Sequence, residues 1–139
     1  MCKKYVNFAF IYAIVAMVFG VFYREFTKFI GFNGATNLSI MHAHYFMLGM
    51  FFFLVLALLE KSFNFSENKN TGKILLFYHI GLNISGLGFF VRGLTQVIYP
   101  ELSSALNASI SGVSGIGHII LGVSLVLLFL TVKKSAAKG

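Results

Sequence analysis

Four uninterrupted apolar runs dominate this chain, at about residues 5–23, 38–59, 74–94 and 108–132. Each is close to the ~20 residues an α-helix needs to cross a hydrocarbon layer about 30 Å thick at about 1.5 Å per residue. Inside such a layer the backbone has no water to bond, so each run must satisfy its own amides and carbonyls by forming a helix. A transmembrane β-barrel would need short segments of alternating polarity instead, and the sequence contains none. With 58% hydrophobic and 11% charged residues in 139, the chain carries more apolar surface than a soluble domain of this size can bury. The expected fold class is all-α: one integral membrane four-helix bundle, multi-pass in the cell membrane, with the lipid bilayer as its first partner.

The formal net charge of +7 does not indicate nucleic acid, because the basic residues sit at the ends of the apolar runs. An even number of spans puts the N-terminus, the 60–73 connection and the C-terminus on one side. That side gathers eight lysines: Lys3, Lys4, Lys61, Lys69, Lys73, Lys133, Lys134 and Lys138. The other side has three basic residues, Arg24, Lys28 and Arg92. The positive-inside rule then predicts cytoplasmic termini. The first run is too long for a signal peptide and lacks a small-residue cleavage site, so it is expected to be retained. Cys2 is the sole cysteine, which leaves no intrachain disulfide and reads as an incidental thiol rather than a lipid anchor. The connections are predicted at 24–37, 60–73 and 95–107. The sole proline, Pro100, falls in the last of them, so no span has a proline kink. Asn107 and Ser109 are expected to cap the fourth helix.

All four histidines, His42, His44, His79 and His118, fall inside predicted spans. Ionisable groups at membrane depth are costly and mark functional sites by default. By helix rise, His44 lies about 10 Å and His118 about 15 Å below the outer edge, compatible with one shared site. His79 belongs to the inner half. His42 and His44 are separated by about 200° around a helix, so they cannot both ligate one ion. A compact zinc or copper cage, with three or four converging ligands, is therefore disfavoured, and no span contains an acidic residue to complete one. A cofactor taking one imidazole on each side of a plane fits better, and haem is such a cofactor. The spacing Ser111, Gly115, His118, Gly122 sets small residues beside an imidazole, leaving room for a flat ligand. The comparable stripe in span 1, Ala9, Ala13, Ala16 and Gly20, reads as helix packing. Arg92, and secondarily Arg24, stand where haem propionates would need cations.

The segment "HAHYFMLGMFFF" resembles the His-x-His-Tyr stretch in a late helix of the haem–copper oxidase catalytic subunit. In that family the two histidines point to opposite faces and ligate two haems. The resemblance carries over only to His42 and His44. It stops short of oxygen reduction, since that family has twelve spans and a contiguous His-His pair absent here. By analogy, three copies of a four-span unit would build a similar ring, a homotrimer. The wider set "GVFYREFTKF", "HAHYFMLGM", "VRGLTQV" and "SGIGHIILG" is similar to an uncharacterised family of small four-span proteins of the bacterial cytoplasmic membrane.

The function expected is binding of b-type haem for electron transfer, haem handling or gas sensing, with a redox partner. His44 and His118 are the leading ligands of the haem iron; His42 and His79 are secondary. His42 would serve a second surface, either another haem or a neighbouring subunit. The alternatives are a small transporter or channel with a histidine-lined proton or metal path, and an assembly protein with structural histidines.

Overall fold

The computed structural model describes residues 1–99 and 101–137; the Pro100 and Lys138 assignments lie outside the described residues. Helix α1 (Cys2–Ile30) contains the first apolar run and continues past it. Arg24 and Glu25 are therefore helical rather than part of a connection. Both are tolerated in a helix, and the stop signal comes later, at Gly31, whose φ of 72° suits glycine. The second rod has three parts: α2 (Leu38–His44), a π-helical segment (Tyr45–Phe51) and α3 (Phe52–Phe63). A 3-10 turn (Phe65–Glu67) leads to α4 (Thr71–Ile98), and α5 (Ser104–Ala136) completes the chain. All four rods are long and apolar enough to cross a membrane, and there is no strand among the described residues.

The fourth helix starts earlier than expected. Ser103, not Asn107 or Ser109, is its N-cap, with the hydroxyl accepting the Leu106 N–H at 3.4 Å. Asn107 and Ser109 lie within the helix; the Ser109 hydroxyl donates back to the Ala105 carbonyl at 2.9 Å. The physical cause is that residues 104–107 (Ser-Ala-Leu-Asn) continue the helix, so capping moves to the first serine before them.

In the bundle, α1 lies along the second rod, that rod also touches α4, and α4 with α5 forms the most extensive pair. The core lies between them, filled by Tyr5, Tyr12 and Ala16 of α1, Phe53 of α3, and Tyr78 and Leu82 of α4. Ala9 and Ala16 are buried, in keeping with a packing stripe on α1. The α4–α5 seam is closer still. A Cβ added at Gly81 would stand 2.5 Å from the Leu121 backbone nitrogen, and one at Gly117 would stand 2.7 Å from that of Ser85. Only residues without a side chain permit that approach. The outward faces carry large apolar side chains such as Phe10, Leu58, Ile119 and Phe129.

The π-helical segment has no proline to announce it. A π turn takes in an extra residue and disturbs the i→i−4 ladder. Here the Leu48 carbonyl accepts the Tyr78 hydroxyl at 2.8 Å. Gly49 lies against the Tyr12 ring so closely that an added Cβ would be 2.6 Å from Tyr12 Cβ. At the end that carries both termini, the buried carboxylate of Glu60 accepts the Ser66 N–H at 3.0 Å and the Ser66 hydroxyl. It thereby fixes the turn between α3 and α4.

Candidate functional site

The two histidines of α2 part company as helix geometry requires. The His42 side chain lies toward α1, where an added Cβ at Gly20 would be 3.6 Å from His42 Cβ. Its Nδ1 is buried without a hydrogen-bond partner among the described residues. His44 turns the other way, toward α4 and α5. Its ring centroid is 6.0 Å from that of His118, with the planes inclined at 58°. The Phe89 ring of α4 meets both edge-on, at 5.1 Å from His44 and 5.5 Å from His118.

The nitrogen atoms of this pair are prepared differently. His118 Nδ1 lies 2.7 Å from the Ser114 carbonyl. A carbonyl only accepts, so Nδ1 carries the proton and Nε2 presents a lone pair. This is the way a backbone carbonyl orients a ligating imidazole. His44 Nε2 is buried and has no partner among the described residues. The His118 side of the pair is open: a Cβ at Gly112, Gly115 or Gly122 would meet nothing within 4 Å. The small-residue stripe of α5 is thus not the packing seam, which belongs to Gly117, one residue before His118.

Beside this pair, toward the end opposite the termini, lies a cavity of about 430 Å³ whose lining includes Phe89, Arg92, Ser111, Ser114 and Gly115. Arg92 is aimed at the start of α5, donating to the Asn107 side chain, the Asn107 carbonyl at 3.2 Å and the Ser111 hydroxyl. Arg24 does not line this cavity and makes a loose contact of 3.8 Å with Glu25, both largely exposed. Among the described residues no three His, Cys, Asp or Glu side chains converge as a metal cage.

His79 is held apart from the pair, inside an aromatic box. Its ring stacks on Phe53 at 4.8 Å and meets Phe8 edge-on at 4.5 Å. A hydrogen-bonded chain fixes its protonation. The Asn83 side-chain nitrogen lies 2.8 Å from the His79 carbonyl and 3.1 Å from the Tyr12 hydroxyl. The Tyr45 hydroxyl donates to Asn83 Oδ1 at 3.3 Å. Tyr12 accepts from Asn83, and no other acceptor for its own O–H lies within reach among the described residues, so the arrangement that satisfies it sends that proton to His79 Nδ1, 2.7 Å away. His79 then carries its hydrogen on Nε2, which is buried without an acceptor among the described residues. Tyr12 and Tyr45 are functional candidates that sequence reasoning passes over. Tyrosines in apolar runs look like core residues, and only Asn83, four residues after His79, hints at a polar seam.

The family model described as "Protein of unknown function (DUF2871)" matches residues 2–135. The chain belongs to that family. No curated protein and no solved structure matches it, so the oxidase resemblance of residues 42–53 gains nothing from these comparisons. Within the family assignment, the geometry around His44, His118 and His79 is what bears on function.

Proposed function

We propose that this family member is a multi-pass protein of the bacterial cytoplasmic membrane, termini inside, that holds a b-type haem through His44 and His118. The observation that carries this reading is the imidazole pair, 6.0 Å apart between ring centroids. Two imidazoles bound head-on to one metal, with bonds of about 2 Å, bring their ring centroids to about 6 Å. The donor chemistry agrees. His118 has its Nδ1 tied to a carbonyl and His44 has an unpartnered Nε2. Arg92, on the adjoining cavity, would pair with propionates. Gly115 and Gly122 leave the face beside His118 open, and a homo-oligomer, a trimer by analogy, would cover it. A haem bound there would supply one-electron redox chemistry. Two protein ligands leave no open coordination position, which favours electron transfer with a redox partner over gas binding.

The test is the visible spectrum of protein purified in mild detergent after supply of haem. The expected result is a Soret band of six-coordinate, low-spin form. His44→Ala and His118→Ala should each abolish it or convert it to a five-coordinate form, and His79→Ala should leave it largely intact. A wild type that takes up no haem, or single variants with unchanged spectra, would refute the assignment.

A second reading, a proton path, is favoured by the Tyr45–Asn83–Tyr12–His79 chain. Proton flux in protein-containing vesicles, lost on Tyr12→Phe, would distinguish it.

A further inference from the structure

The cavity beneath His79, at the end of the bundle that carries the termini, has a volume of about 340 Å³ and lies between α1 and the start of α4. It is separate from the His44–His118 pair. Two of the residues lining it, Tyr5 and His79, each carry a buried polar atom without a partner among the described residues: the Tyr5 hydroxyl and His79 Nε2. Unsatisfied buried polar groups are rare in native proteins and each calls for a partner. Two lining one cavity point to a shared one. The hydrogen-bonded chain makes His79 Nε2 an N–H donor, and a tyrosine hydroxyl can also donate. The missing partner is therefore an acceptor.

The remaining lining narrows its chemistry. Phe8, Leu75 and Leu76 supply apolar walls, and Leu76 is exposed on the outward surface, so the cavity is reachable from the side that faces lipid. Its other polar groups are already engaged: the Thr71 hydroxyl donates to the Phe65 carbonyl at 3.1 Å, and Ser66 is bonded to the buried Glu60 carboxylate. That carboxylate disfavours an anionic head. Lys4 and Met1 also line it but are themselves exposed, with the Lys4 ammonium over the Phe8 ring at 5.7 Å. Neutral donors in apolar walls suit a neutral acceptor, because a buried charge without a close counter-ion is costly.

We propose that this cavity is a binding site for a lipid-soluble carbonyl compound of the quinone class, its carbonyl oxygen accepting from His79 Nε2 and the Tyr5 hydroxyl. The site does not depend on haem. The experiment is isothermal titration of the purified full-length protein in detergent with ubiquinone-1, with dihexanoyl phosphatidic acid titrated in parallel. One-to-one binding of the quinone is expected. His79→Phe should weaken it at least about tenfold, the loss of roughly one hydrogen bond from a buried donor, and His79→Gln, which keeps a donor near the Nε2 position, should recover most of it. Leu76→Trp fills the cavity from an exposed position and should abolish binding even if the His79 variants fold poorly. His44→Ala should leave quinone binding unchanged, which separates failure of this site from failure of the haem reading. The proposal is overturned if ubiquinone-1 does not bind the wild type, if Leu76→Trp binds it equally well, or if only phosphatidic acid binds.

Discussion

Helix α4 packs against both α2, which carries His44, and α5, which carries His118, so the α4–α5 contact helps to set the distance between the two imidazoles, and Gly81 is where that contact can be tested most sharply. In a Gly81→Ala variant the new Cβ would stand 2.5 Å from the Leu121 backbone nitrogen, 2.8 Å from its Cα and 3.0 Å from the Gly117 carbonyl oxygen. Carbon contacts are favourable at about 3.5–4.0 Å, so the two helices must separate locally by about 1 Å. All three clashing atoms are backbone, and no rotamer change can relieve them. Overpacking of this kind costs about 1–3 kcal/mol, and the upper end applies. The gain in helix propensity on replacing glycine by alanine, about 1 kcal/mol, offsets part of it. A net loss of about 1–2 kcal/mol follows from these two magnitudes. The matched control is Gly122→Ala on the same helix pair, where the new Cβ meets nothing within 4 Å. There only the propensity gain remains, so that variant should be stabilised by about 0.5–1 kcal/mol. Unfolding in mild detergent, followed by far-ultraviolet circular dichroism, reads both. Shifts of the same sign and size in the two variants would refute the seam described here. If haem is bound, Gly81→Ala should also disturb its spectrum, because α5 carries His118 away from His44.

Two further outcomes are expected. Tyr78→Phe removes the hydroxyl that bonds the Leu48 carbonyl and should lower stability by about 1–3 kcal/mol, the cost of an unsatisfied buried carbonyl; an unchanged unfolding midpoint would remove the tyrosine from the account of the π-helical segment. With Cys2 replaced by serine, Lys69→Cys provides a single exposed thiol in the connection before α4. It should react with an impermeant maleimide only after cells are opened, and labelling of intact cells would reverse the proposed orientation.

The helical architecture was legible because lipid-crossing length and apolar continuity are strong signals. Helix ends were less so. Arg24 and Glu25 look like the start of a connection, yet the left-handed Gly31 is what ends α1. Ser103 displaces Asn107 as the cap for the same reason: a polar residue near a boundary does not say on which side of it the boundary lies. At the site, the 200° separation of His42 and His44 follows from helix geometry alone. The meeting of His44 with His118 depended on depth, a quantity the sequence carries through helix rise. The tautomer of His79 could not be read, because it rests on side-chain partners from α1 and α2's continuation brought together only by packing. Gly117 was hidden by its neighbours: four glycines at 112, 115, 117 and 122 do not reveal which of them faces the seam.

The π-helical segment also bears on how this chain can change over generations. Between Tyr45 and Phe51 the second rod holds more residues than α-helical spacing would use. His44 before it answers to α4 and α5, whereas Phe53 and Glu60 after it answer to α1 and to the turn at the termini. A wide turn takes up its extra residue internally, so loss of one codon in this stretch would restore ordinary spacing and leave the two halves of the rod facing as they do now. The same loss within α2 or α3, where no wide turn absorbs it, would swing one half by about 100° and turn the imidazole or the aromatic box to the wrong neighbour. What a deletion in the segment would disturb is local: the Leu48 carbonyl that receives the Tyr78 hydroxyl. Length can change by one residue there at a cost confined to that bond, and elsewhere in the rod it cannot.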